Sequence, residues 1–242
     1  MAKWLDKTFY TFDKAILSFW HKLAVNGGGF LTPFMKFITF FGNAGLFMIL
    51  LGLVLFLFKN TRKHGTTALI AILIGAILTN LILKPIVARA RPYTREEFRV
   101  WWNLVGSIKE SDFSFPSGHA TVATDCLLAI FLISKKKKIS WLLIVFALFI
   151  CASRNYLMVH YPTDVIVGIL VGSISAVSSY FIVNFLYKKM EKNKEKKFCA
   201  FYLDFCLIEL IKSKRKNCQV DGVDAKIENE FNQDDIQRST VF

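Results

Sequence analysis

Long runs of apolar residues, each closed by basic side chains, limit this chain to a narrow set of folds. Five runs can be read directly. Asn43 to Phe58 ends at Lys59-Asn60-Thr61-Arg62-Lys63, and Thr66 to Leu83 ends at Lys84. Gly118 to Ser134 ends at the run Lys135 to Lys138, Ile139 to Ala152 is stopped by Arg154, and Val165 to Tyr187 is followed by Lys188-Lys189. In hydrocarbon no water is available to bond the backbone, so a spanning segment must satisfy its own N–H and C=O groups as a helix. A span needs about 20 residues, and several of these runs are shorter, which puts their polar ends at the interface. Ala15 to Phe41 is less regular, because His21, Lys22, Lys36 and Gly27 to Gly29 interrupt it. We take it as a sixth span; the other reading is two amphipathic pieces along the surface. The expected fold is therefore all-α, a polytopic membrane helix bundle of about six transmembrane helices.

Composition agrees. Of 242 residues 54% are hydrophobic and 24 are Phe, with a mean hydropathy of +0.41, above the 45–50% apolar content usual for soluble domains. The net charge of +13 does not imply a nucleic-acid partner, since many of the Lys and Arg sit in short clusters between apolar runs. That is how a membrane protein holds one orientation, and such clusters attract anionic head groups. The partner implied is the lipid bilayer and the location a cell membrane, crossed several times. The five Cys have no paired spacing, so neither a disulfide framework nor a zinc site is expected. Met1 to Lys14 is mixed and charged, unlike a cleavable signal peptide.

The basic clusters at Lys59–Lys63, Lys135–Lys138 and Lys188–Lys197 are expected on the cytoplasmic side. Alternation then puts Lys84–Gly118 and Arg154–Asp164 together at the outer face. The outer stretch is itself basic (Arg89, Arg91, Arg95, Arg99), which a second need for positive charge there explains. Three regions follow: 1–42, an N-terminal amphipathic or first membrane segment; 43–187, a membrane core; and 188–242, a largely disordered cytoplasmic tail.

Three short segments at the outer ends of the spans carry the chemistry. Lys84 precedes Arg91-Pro92 by six intervening residues; Pro116-Ser117-Gly118-His119 opens a span; and Ser153-Arg154 precedes His160 and Asp164. A single Lys or Arg at a helix end is usually snorkelling. Three such cations (Lys84, Arg91, Arg154) on one side, with two His and an Asp, point to a shared anion; Arg suits bidentate contact with phosphate, and Lys adds a point charge. A helix start presents free N–H groups to an anion, Ser117 adds a hydroxyl, and Gly118 allows close backbone approach. If a helix begins near Pro162, the i,i+4 spacing brings His160 and Asp164 together. A carboxylate on one ring nitrogen fixes the tautomer and leaves the other as a nucleophile. His119 is then the proton donor for the leaving oxygen.

These segments resemble the three signature motifs of the type 2 phosphatidic acid phosphatase family, K-x6-RP, PSGH and SR-x5-H-x3-D. All eleven specified positions match in order, over roughly residues 43–187. The resemblance implies that Lys84, Arg91, Arg154, Ser117 and Gly118 bind phosphate. It implies that His160 attacks phosphorus to form a phosphohistidine, that Asp164 supports it, and that His119 protonates the leaving group and then activates water. It implies no metal and no cofactor. The substrate implied is a membrane lipid: phosphatidylglycerol phosphate, phosphatidic acid or undecaprenyl pyrophosphate. A lipid phosphotransferase using the same site, and a membrane protein that binds phosphate without catalysis, remain as alternatives. Outside the motifs, Arg89 is read as a pocket-rim or surface residue. Asp125 is a functional candidate inside a span or a bundle hydrogen-bond partner, and Asn80 an orienter of Lys84. Trp101 and Trp102 suit an interfacial belt or a short helix on the outer face, and His21 and His64 the surface or the interface.

Overall fold

The structure is a computed structural model that describes residues 1–204. It is all-helical, with no strand among those residues. A short α1 (Ala2–Thr8) leads into α2 (Tyr10–Phe40), which is followed by α3 (Leu46–Leu57), α4 (Arg62–Ala76), a π-helical turn (Ile77–Leu83) and α5 (Lys84–Val87). The amphipathic α6 (Glu96–Leu104) lies before α7 (Gly118–Ile133), α8 (Lys137–Tyr156), α9 (Pro162–Lys192) and α10 (Lys197–Asp204). Residues 10–57, 62–94, 137–156 and 162–192 are long and apolar enough to cross a membrane, and α7 is a shorter apolar helix.

The ambiguous N-terminal segment forms one unbroken helix of 31 residues. Pro33 removes one hydrogen bond and the three glycines lower helix propensity. Leu17, Ala24, Met35 and Ile38 nevertheless bury against the bundle, and packing outweighs propensity in a helix of this length. The chain then reverses at Ala44 (φ 47°) and Gly45 (φ 68°), both left-handed. At Gly42 a Cβ would lie 2.6 Å from His119 Cδ2, so glycine is what lets this turn lie against the site.

The bundle is ordered as a lipid-solvated one. Leu142 (67%), Phe181 (65%) and Phe185 (66%) are exposed, whereas Thr67, Thr121, Ser175 and Ser179 are buried. Apolar surface facing lipid carries no penalty, while small and hydroxylated residues let helices approach and bond. Ser179 donates to the Thr67 carbonyl, and Thr79 donates to Thr121 at 3.2 Å. Helix α7 lies at the centre, against α4, α8 and α9. A Cβ at Gly168 would lie 2.7 Å from the Ser117 carbonyl oxygen, so α9 crosses directly over the start of α7.

Alternation of the helices puts the C-terminal ends of α5 and α8 and the N-terminal ends of α7 and α9 at one end of the bundle. The clusters at 59–63 and 135–138 fall at the other. The first part of the expected tail continues α9 to Lys192, and α10 follows. Arg62 donates to the Tyr202 carbonyl at 2.6 Å, and the Thr66 and Tyr202 hydroxyls lie 2.7 Å apart. The rest of the expected tail, 205–242, lies outside the described residues.

Candidate active site

The candidate site is built where four helix ends meet. Lys84 begins α5 just past the π-helical turn, and Arg91 follows in an extended stretch ending at Pro92. Ser117 caps α7, accepting from Ala120 N. Helix α8 runs four residues beyond the expected Ala152, so Arg154 lies within the helix rather than stopping it. Pro162 opens α9 as expected, and Asp164, in its first turn, accepts from Tyr161 N at 3.0 Å.

A cavity of about 430 Å³ is lined by Lys84, Arg91, Gly118, His119 and His160, with Thr79, Thr121 and Asp125 deeper in the bundle. Ser117, Arg154 and Asp164 stand outside its lining. Lys84, Arg91 and Arg154 are 8%, 4% and 1% exposed, so three guanidinium or ammonium groups are desolvated within one site. Buried cations need partners, and here the partners come from one loop. Asp112 pairs with both Lys84 and Arg91, and Glu110 pairs with Arg154. The loop is itself anchored: Tyr93 donates to the Glu110 carbonyl at 3.0 Å, and Trp102 Nε1 donates to the Ile108 carbonyl at 2.8 Å. Arg154 also donates to Thr39 Oγ1 at 2.6 Å, yet its Nε is buried with no hydrogen-bond partner among the described residues. A buried donor left unpaired is rare in folded proteins.

The histidines are held differently from each other. His160 Nδ1 lies 2.7 Å from the Ser114 carbonyl oxygen. A carbonyl only accepts, so Nδ1 carries the proton and Nε2 has the free lone pair. Arg91 Nη1 lies 3.3 Å from that Nε2. Asp164 was expected to fix this tautomer, but its Oδ2 is 3.8 Å from Nδ1, beyond hydrogen-bond reach. The carboxylate is occupied by Ser114 Oγ at 2.5 Å and Arg89 Nη1 at 2.6 Å, besides Tyr161 N. It therefore acts on His160 by charge and through Ser114. Burial, with the charges of Arg91, Arg154 and Lys84 beside it, holds the His160 imidazole well below its ordinary pKa, against the opposing Ser114 hydrogen bond. The ring is thus neutral, with Nε2 facing cations. His119 is half-buried, and its Nε2 lies 2.9 Å from Asn43 Oδ1.

Several residues differ from what the sequence implied. Arg89, read as rim or surface, is 1% exposed and fully paired. Asp125 has no hydrogen-bond partner for either oxygen among the described residues, so the bundle hydrogen bond allowed for it is absent. Asn80 lines the cavity, but the bond that orients Lys84 comes from Asp112. The short outer helix expected at Trp101 and Trp102 is α6, where His21 stacks on Trp101 at 4.6 Å and Trp102 packs against Tyr93. Ser114, Asn43, Glu110 and Asp112 were not picked out from the sequence. Ser114 stands two residues before the PSGH segment, which is the only local signal any of them carries.

The family model described as the PAP2 superfamily matches residues 65–190. An undecaprenyl-diphosphatase of Sulfolobus acidocaldarius is 34% identical over 149 residues, covering 59% of this chain and 66% of that protein. The undecaprenyl-diphosphatase BcrC of Bacillus subtilis is 30% identical over 169 residues, covering 68% and 79%. The crystal structure of a PAP2-type phosphatidylglycerolphosphate phosphatase from Bacillus subtilis superimposes with a TM-score of 0.57 at 26% identity, covering 74% of this chain and 86% of that one.

Proposed function

The chain belongs to the PAP2 superfamily, and from that premise we propose that it removes phosphate from a lipid phosphomonoester or diphosphate through a phosphohistidine on His160. It is a lipid phosphatase of a multi-pass membrane type. The observation that carries the mechanism is the state of His160: a neutral ring, Nδ1–H bound to a carbonyl, Nε2 open beside Arg91. That is how a nitrogen nucleophile is prepared.

In the first step His160 Nε2 forms a bond to phosphorus while the bond to the leaving oxygen breaks. Lys84, Arg91 and Arg154 take up the charge on the non-bridging oxygens, assisted by the Ser117 hydroxyl and the backbone at Gly118. His119 gives its proton to the leaving oxygen. In the second step water attacks phosphorus, its proton goes to His119, the P–N bond breaks, and inorganic phosphate leaves. Three cations supply the charge neutralisation, so no metal ion enters either step. Substrate phosphate must first displace the Asp112 and Glu110 carboxylates that hold those cations.

We place the site at the extracytoplasmic face of a bundle whose crossings are α3, α4, α7, α8 and α9. Both ends of α2 reach that same face, Asp13 at Arg89 and Thr39 at Arg154, so α2 lies along it and the sixth segment is the surface piece rather than a span. The opposite end carries the clusters at 59–63 and 135–138, which favours a cytoplasmic position for it. The names of the two similar proteins above favour a polyprenyl diphosphate as substrate, and that of the solved structure a phosphatidylglycerol phosphate.

The test is single-turnover labelling with purified protein and a lipid substrate carrying radioactive terminal phosphate. The expected result is an acid-labile, base-stable phosphoprotein that His160→Ala removes together with phosphate release, with activity persisting in chelator. Full activity in purified His160→Ala protein would discard the nucleophile assignment. Release from a polyprenyl diphosphate but not from glycerolipid phosphates, or the reverse, decides the substrate class.

A further inference from the structure

Arg89 engages three of its nitrogens in ion pairs. Nη1 meets Asp164 Oδ1 at 2.6 Å, Nη2 meets Asp13 Oδ2 at 2.8 Å, and Nε meets Asp6 Oδ1 at 2.8 Å. Arg89 and Asp13 are each 1% exposed and Asp164 is fully buried, and the Tyr161 ring covers the guanidinium at 3.8 Å. Burying so many charges costs free energy that hydrophobic packing would not. Stability alone is a weak reason to build such a cluster, and its position offers a better one.

The cluster stands directly behind His160. The Arg89 carbonyl accepts from Ser114 N at 2.8 Å. The Ser114 carbonyl accepts from His160 Nδ1 at 2.7 Å, and the Ser114 hydroxyl donates to Asp164 at 2.5 Å. Arg89, Asp164 and Ser114 thus close a ring of bonds on which the imidazole hangs. Asp13 secures the residue next to Asp164: Thr163 N donates to Asp13 Oδ1 and Thr163 Oγ1 to Asp13 Oδ2, both at 2.9 Å. Arg89 Nη1 donates in turn to Thr163 Oγ1 at 2.8 Å. Asp13 therefore holds the first turn of α9, where free N–H groups favour a carboxylate.

We infer that Arg89 and Asp13 are positioning residues for the nucleophile, and that α2, outside the matched residues 65–190, completes the catalytic centre. Neither side chain reaches the reacting phosphorus. Both act through Asp164 and Ser114 on the plane of the His160 ring and hence on the direction of Nε2. The inference rests on His160 being the nucleophile. A misplacement of about 1 Å in a reacting group costs about 10²-fold in rate, whereas the cations that bind phosphate stay in place. The expected signature is a fall in kcat with KM little changed.

The experiment compares full-length Asp13→Asn, Arg89→Lys, Arg89→Met and Glu97→Gln, each taken as the monodisperse fraction in detergent, on one lipid phosphate substrate. Asp13→Asn preserves side-chain volume and is the primary variant; Asp6→Asn, at the more exposed edge of the cluster, reads the same effect at smaller amplitude. Glu97 also docks α2, through Tyr10 and Lys14 at 2.9 Å, but away from Asp164, so its variant controls for loosened docking. The expected result is kcat lowered about 10- to 100-fold in Asp13→Asn and Arg89→Met with KM within about threefold. Arg89→Lys should recover part of the loss. The double variant Asp13→Asn/Arg89→Met should fall no further than Arg89→Met, as residues acting through one network do. Glu97→Gln should keep kcat within about twofold. An Asp13→Asn enzyme with kcat within about twofold of the parent, or losses of equal size in Asp13→Asn and Glu97→Gln, overturns the inference. His160→Ala, run alongside, tests the nucleophile separately: if it is active, the mechanism fails, and if it is inactive beside a fully active Asp13→Asn, only the positioning fails.

Discussion

His160 has to be unprotonated to attack phosphorus while standing among three cations that the phosphate needs. Those two demands reinforce each other, since positive neighbours and burial both disfavour a second proton on the ring. The lowered pKa keeps the neutral ring populated as pH falls, and the nucleophile is lost only when pH drops through that lowered value. The acidic limb of kcat/KM, which reports the free enzyme, is therefore expected below 6.5, the ordinary value for a histidine. Lys84→Met should move that limb upward and raise KM, because Lys84 is one of the charges holding the ring neutral. A pH–rate profile of both proteins checks this. His119, as the proton carrier, is a separate matter: His119→Ala should lower kcat by about 10² to 10⁴-fold, less for a substrate whose leaving group needs no proton. Comparing an alkyl with a nitrophenyl phosphate reads that difference.

Among the elements, the loop between α6 and α7 holds the site's cations in the absence of substrate. Burial raises the Asp112 carboxyl pKa, but the Lys84 hydrogen bond and the charges of Lys84 and Arg91 outweigh it, so the group stays ionised below the usual carboxylate range. Mild acid therefore does not release the loop, whereas a competing phosphate can. Asp112 is 46% exposed at its side chain, and such pairs are worth roughly 0.2–1 kcal/mol. Asp112→Asn is accordingly expected to lower KM by about two- to fivefold with kcat little changed, measured in initial-rate assays. The α7–α9 crossing is less forgiving. Gly168 and Gly172 each face a backbone carbonyl of α7 at 2.7 Å from where a Cβ would stand, and backbone cannot swing aside. Overpacking of this kind costs about 1–3 kcal/mol. Gly172→Ala should therefore lower the Tm in detergent, and Gly168→Ala, beside Ser117, should lower kcat as well.

At the scale of the molecule, two things decide function: which side of the membrane the site faces and how the N-terminal helix joins it. A Cys placed at Tyr93 is expected to react with an impermeant thiol reagent on intact cells; reaction only after lysis would invert the orientation. The N-terminal helix changes what counts as the catalytic unit. Residues 1–42 read as an N-terminal amphipathic or first membrane segment in the linear chain, and Asp13, Thr39 and the turn at Gly42 touch Arg89, Arg154 and His119 respectively.

The helices and the motif residues were legible in the chain itself. Apolar runs must be helical in lipid whatever surrounds them, and the spacing of Lys84, Arg91, His119, Arg154, His160 and Asp164 is local to each segment. The limits of α8 and the continuity of α2 were not legible, because Arg154, Pro33 and three glycines break the local pattern and only packing overrides them. Partnership across the bundle was hidden for the same reason: Arg89 to Asp13, Ser114 to His160 and Asp112 to Lys84 join residues 76, 46 and 28 positions apart. The sequence by itself determined that this is a membrane helix bundle bearing a histidine–cation site of the PAP2 kind. Only the tertiary structure decided that the Ser114 carbonyl, rather than Asp164, sets the His160 tautomer. Asp164 is drawn instead to Arg89, since a buried carboxylate lowers its free energy most beside a full positive charge.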